Sequence, residues 1–218
     1  MFIGHYAVAF AAKKAVPKVS LGMLMLATSF LDVLWPVFLL IGWEQVRIDP
    51  GNTAFVPLAF DHYPISHSLA SATGWAALLA VIYWGYSRYM GGAVAVALVT
   101  VSHWFLDAVV HRPDLPLYPG PSPLIGLGLW NSIAGTLLLE SAMFAMGVWL
   151  YVSTTSPRNK VGRYALWGFV GFVAVVYLAN AFGPPPPSPQ AIAWAGLSSL
   201  ILPFWAYWFD KHRQIRLT

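Results

Sequence analysis

Cysteine is absent from the 218 residues, and charge is scarce, with Asp, Glu, Lys and Arg making up 9% of the chain. The first absence excludes disulfides, thiolate metal sites and thiol nucleophiles. The second argues against a soluble domain, because 58% of the residues are hydrophobic and 11 Trp and 10 Tyr are among them. There is also no basic stripe. The formal charge of +4 arises from Lys and Arg scattered in short clusters beside apolar runs, which speaks against a nucleic-acid partner. No hydrophilic stretch is long enough for a second domain, so residues 1–218 read as a single membrane-embedded one.

What the chain does have is a series of apolar runs. Six of them, residues 20–43, 66–87, 92–111, 130–153, 164–182 and 190–209, approach the 20 or so residues that cross a bilayer as helix. The expected fold is all-α, a polytopic membrane helical bundle of about six spans. The Pro-rich segments 112–123 and 183–189 are expected to be loops, since repeated proline removes backbone donors and fixes φ. With the N-terminus inside, ten Lys and Arg fall on the cytoplasmic side and only Arg47 and Arg112 outside, a strong positive-inside bias that leaves both termini cytoplasmic. Residues 2–12 are too short to span, and the Lys13-Lys14 pair follows this apolar run instead of leading it, unlike a signal peptide. They are expected to form a short N-terminal helix that makes a hairpin with the first span around Pro17.

Ionisable residues inside these runs carry the functional signal, because such groups in hydrocarbon usually face a bundle interior and mark a site. His103 and Asp107 stand four residues apart with His111 four further on, on one helical face. Asp32 and Glu140 lie within two other runs, and His5 and His67 within or at the end of two more. His5 is twelve residues before Pro17 and Asp32 fifteen after it, so at about 1.5 Å per residue both lie roughly 18 to 22 Å from the turn and can meet. Imidazoles and carboxylates in this arrangement suit a divalent ion, zinc first, with manganese or iron also accommodated. The candidate ligands are His5, Asp32, His67, His103 and Asp107. A purely structural polar network is the alternative.

Gly4-His5, Ser29-Phe30-Leu31-Asp32, the segment from Asp61-His62-Tyr63 to His67-Ser68, and His103-Trp104-Phe105-Leu106-Asp107 together resemble the YdjM-like family of bacterial inner-membrane proteins, described as metal-dependent hydrolases. The resemblance covers roughly residues 1–130. It departs at Asp32, one carboxylate where the family often has two, and at Asp61-His62-Tyr63, where the family usually has His-Arg. The ligand order is also similar to that of the soluble all-helical zinc-dependent phospholipase C and nuclease group, although no clear His-x-x-x-Glu is present.

These resemblances imply a prokaryotic inner-membrane enzyme that hydrolyses a lipid or lipid-linked phosphoester, with membrane lipids as its partners. Asp32 is expected to bind metal and position a water, and His111 to protonate the leaving group. Arg112 either holds an anionic headgroup or snorkels to the interface. His62 is a candidate substrate contact, and Asp61 and Glu140 are candidates for orienting a ligand. The competing classes are a cation or proton transporter and a structural membrane subunit.

Overall fold

A computed structural model describes residues 1–216. Helices dominate it, in the order α1 (Ile3–Ala15), α2 (Leu21–Thr28), α3 (Phe30–Leu40), α4 (Pro64–His67), α5 (Leu69–Ser87), α6 (Met90–Val110), α7 (Ile133–Thr154), α8 (Lys160–Phe182), α9 (Pro189–Ser198) and α10 (Ile201–Lys211). Three short antiparallel ribbons close the ends of the bundle. These are β1 (Gln45–Ile48) with β2 (Leu58–His62), β3 (Leu115–Pro116) with β4 (Leu124–Ile125), and β5 (Thr155–Pro157) with β6 (Arg213–Ile215). The first two ribbons lie at one end of the bundle and the third at the other.

Four single helices, α5 to α8, and the stretch Pro189–Lys211 are long and apolar enough to cross a membrane. The pair α2–α3 makes a sixth when taken as one span. The chain is thus an all-α polytopic bundle. Leu98, Val175 and Phe204, all exposed, lie on the outer faces of these helices, as lipid-facing side chains do.

Boundaries shift by a few residues in most spans, and the expected span 190–209 is divided into α9 and α10; two differences bear on the site. Residues 20–43 do not form one rod, because α2 and α3 meet at a 51° bend. The Thr28 and Ser29 hydroxyls there both donate to the Met25 carbonyl, the side-chain competition that bends helices. The second span opens at Leu69 instead of residue 66. Ser68 caps α5 by accepting from the Ser71 amide at 3.1 Å, which leaves His67 on the separate one-turn helix α4. The ribbon β1–β2 was likewise not expected, since its strands are too short to show an alternating pattern beside the apolar runs.

The short helix α1 is the centre of the bundle. It makes the expected hairpin with α2, but its most extensive neighbour is α7. The two cross where a Cβ on Gly147 would lie 2.5 Å from the Ala7 carbonyl oxygen, so only glycine lets them approach this closely. Lys13, at the far end of α1, is buried instead of lying free at the surface. Its Nζ meets Asp210 Oδ2 at 2.8 Å and the Val19 carbonyl at 2.8 Å, while Tyr151 Oη donates to Asp210 Oδ1 at 2.8 Å. Between Lys13 and His5 lies an apolar layer of Phe10, Leu24, Met25, Val148 and Phe169, all buried.

Candidate metal centre

Four elements bring the candidate ligands together at the end of the bundle that carries β1–β2 and β3–β4. α1 supplies His5, α3 supplies Asp32, α4 supplies His67, and α6 supplies His103 and Asp107. Two overlapping groups of ligand atoms lie within 4.8 Å of one another: His5, His103 and Asp107, and Asp32, His67 and His103.

The bend in α2–α3 is part of this construction. A helix end leaves its last carbonyls without partners, and the Thr28 carbonyl accepts the His103 Nδ1–H at 2.7 Å. That bond fixes the tautomer and leaves the Nε2 lone pair facing inward. His103 Nε2 is buried, makes no aligned hydrogen bond among the described residues and stands 3.0 Å from Asp107 Oδ2, a position that a proton or a cation would satisfy.

His67 is oriented in the same way. Its Nδ1 lies 2.7 Å from Ser66 Oγ, so Nε2 faces the cluster. Around the central space His103 Nε2 stands 3.0 Å from Asp107 Oδ2 and 3.6 Å from Asp32 Oδ1. His67 Nε2 stands 3.5 Å from Asp32 Oδ1 and 3.9 Å from Asp107 Oδ2. Bonds of 2.0–2.1 Å from zinc to nitrogen and oxygen give a tetrahedral edge of about 3.3 to 3.4 Å, and the four separations bracket that value. The donor atoms thus approach the spacing that an ion of zinc's size needs, as two triads that share His103 rather than as one closed set of four.

His5 sits on the outer side of the same carboxylate. Its Nε2 meets Asp107 Oδ1 at 3.1 Å, and the Met1 nitrogen also donates to that oxygen. Asp107 thus divides its two oxygens between α1 and the other imidazoles. Glu140, on α7, does not touch the cluster. Its Oε2 accepts from the Phe2 and Gly4 amides at 2.8 and 3.2 Å, anchoring the positive end of α1 and with it His5.

The remaining candidates form a neighbouring group. His111, just past the end of α6, places Nδ1 2.9 Å from Asp114 Oδ1, and Tyr63 Oη donates to the same oxygen at 2.9 Å. Burial lowers the His111 imidazole below its ordinary value despite the nearby Asp114 and Asp107 carboxylates. Burial, with Asp114 adding to it, pushes the Tyr63 phenol well above its usual range. Arg112 reaches Asp114 Oδ2 at 3.5 Å and lines, with His62, Tyr63 and Asp114, a cavity of about 510 Å³. Asp61 also lines that cavity, but its carboxylate is taken by Arg47, at 2.6 Å to Nε and 3.0 Å to Nη2, so it orients no ligand.

Sequence reasoning missed Glu44, Thr28 and the role of Ser66. Glu44 is 2% exposed, and an acid beside Gly42-Trp43 at the end of an apolar run is the signal that pointed to it. Thr28 contributes only its backbone, which no side-chain pattern reveals. No protein-family model, curated protein or solved structure matches the chain.

Proposed function

We propose that the chain is a membrane-embedded metal-dependent hydrolase acting on a lipid or lipid-linked phosphoester. The observation that carries this reading is the convergence of His67, His103, Asp32 and Asp107, with both histidine tautomers set by hydrogen bonds on the far side of the rings. Asp32, His67 and His103 would hold one divalent ion, zinc first and manganese or iron next, with Asp107 beside His103 as a further donor on closure of the site. His103 Nε2 has a single lone pair and so serves one ion, and His5 supports Asp107 from outside. A bound ion would lower the pKa of a water toward neutrality and offset charge on phosphoryl oxygens.

The chain's own groups supply the rest. Asp32 is the accessible member, its side chain 43% exposed against 5% or less for His67, His103 and Asp107, so it meets substrate and orients the attacking water. His111, held by Asp114, takes up a proton, and Arg112 and His62 hold the anionic headgroup in the adjoining cavity. The positive-inside bias favours a site in the outer half of a prokaryotic plasma membrane, with the Lys13–Asp210 end cytoplasmic; Met1, bonded to Asp107, then lies at the outer end and not in the cytoplasm as expected from the sequence. The apolar layer of Phe10, Leu24 and Met25 below the ligands favours hydrolysis over transport, because it offers no polar path onward.

The test is elemental analysis of the detergent-purified protein, beside a His103→Ala, Asp107→Ala variant, followed by assay against phospholipids and lipid phosphates. Near-stoichiometric metal that is lost in the variant, with phosphoester turnover lost alongside it, supports the reading. A wild-type protein that takes up no divalent ion defeats it.

A further inference from the structure

Glu44 lies in the short turn between α3 and β1, and its buried carboxylate reaches across to α4. Oε1 accepts from the Ile65 and Ser66 amides, both at 2.8 Å. Pro64 opens α4 and has no N–H, and the His67 amide bonds the Tyr63 carbonyl at 2.9 Å. Every amide of this one-turn helix therefore has an acceptor. The second oxygen does something different. Oε2 accepts the Ser66 hydroxyl at 2.6 Å, and Ser66 Oγ lies 2.7 Å from His67 Nδ1.

The direction of this chain follows from proton counting. A carboxylate only accepts, and a serine hydroxyl has one proton. With that proton directed to Glu44, or to the Tyr63 carbonyl at 3.5 Å, Ser66 Oγ can only accept from His67. His67 then bears its proton on Nδ1 and presents a bare Nε2 to Asp32 and Asp107.

We infer that Glu44 and Ser66 are positioning residues that set the tautomer of His67, so that a carboxylate 21 residues before Ile65 decides whether the triad of Asp32, His67 and His103 has its His67 donor. This rests on the proposed metal-dependent hydrolase. The relay also explains why α4 is separate from α5. Ser68 starts the long helix afresh, which leaves the Pro64–His67 turn free to follow Glu44 instead of the α5 axis. The Trp75 indole N–H, donating to the Ile65 carbonyl at 2.8 Å, holds the turn from the other side.

Glu44→Gln tests the direction of the relay with little change of shape. The amide oxygen can still accept from Ile65 and Ser66, but the amide nitrogen donates to Ser66 Oγ. The hydroxyl then turns toward His67 Nδ1, and the ring proton moves to Nε2, where it blocks a metal. Ser66→Ala breaks the link while leaving the backbone bonds of Glu44 intact, and it serves where Glu44→Gln folds poorly. Zinc affinity by chelator competition on the full chain in detergent should fall by roughly 10- to 100-fold in both variants. Nitrogen-15 imidazole shifts should move the His67 proton from Nδ1 to Nε2 in Glu44→Gln. Affinity equal to wild type in both variants, or an unmoved ring proton, overturns the inference. If the wild type binds no zinc, the hydrolase reading fails, and the ring-proton position alone decides for or against the relay.

Discussion

His5 and His103 lie ring on ring, with centroids 3.7 Å apart and planes within 4°. They come from α1 and α6, and both rings address Asp107: His5 Nε2 at Oδ1 and His103 Nε2 at Oδ2. Two imidazolium cations stacked this closely would repel, so the arrangement suits at most one charged ring of the pair. The two histidines nonetheless have different tasks. On the proposed reading His5 supports the shared carboxylate and His103 is the ligand, although His5, His103 and Asp107 also form a triad close enough to hold an ion.

The first expectation follows from that division. His103→Ala should abolish stoichiometric zinc, whereas His5→Ala should retain it with affinity reduced by roughly 10- to 100-fold, as for partners that orient a ligand. Elemental analysis and chelator competition measure both. Equal, complete loss in the two variants would make His5 a direct ligand.

A second concerns Glu140. Its Oε2 accepts the Phe2 and Gly4 amides, so Glu140→Ala removes the anchor of α1 and leaves buried donors unpaired. The expected cost is about 1 to 3 kcal/mol, read as a lower midpoint of thermal unfolding in detergent. Zinc affinity should weaken along with it. An unchanged midpoint would show that α1 does not depend on this contact.

Gly147 gives a third. A Cβ there would lie 2.5 Å from the Ala7 carbonyl oxygen, a backbone atom that yields only if α1 moves away from α7. Gly147→Ala should destabilise by about 1 to 3 kcal/mol. Gly171, where a Cβ would meet nothing within 4 Å, should accept alanine without loss of stability. Thermal unfolding of the two variants side by side checks the contrast.

At the other end, Lys13 and Asp210 form a buried ion pair at 2.8 Å. Lys13→Met leaves the Asp210 carboxylate buried and short of its cation, which should cost about 3 to 5 kcal/mol. Lys13→Met combined with Asp210→Asn should recover part of that loss, since the amide oxygen still receives the Leu21 amide that now bonds Asp210 at 2.9 Å. A double variant worse than Lys13→Met would contradict this.

How far the sequence revealed these features depends on the kind of interaction. His103 and Asp107 share a helical face by spacing alone, and the similar depth of His5 and Asp32 follows from helical rise on either side of Pro17, so their place at one end of the bundle was legible, though each joins His103 in a separate triad. The bend at Ser29 was not. Thr28 and Ser29 compete for the Met25 carbonyl in a way that hydropathy does not register, and the free Thr28 carbonyl is a backbone property. Glu44 was passed over because its partners, Ile65 and Ser66, are distant in sequence. Asp61 was placed by proximity to His67, but Arg47 across the ribbon claims it.

The sealed layer of Phe10, Leu24 and Met25 also bears on supply. With these apolar side chains on the Lys13–Asp210 side and Asp32 partly exposed, an ion for the proposed site would enter from the side where the ribbons β1–β2 and β3–β4 lie. Occupancy would then follow the free metal concentration of the compartment on that side, and a chelator that cannot cross the bilayer would strip the site from one face only.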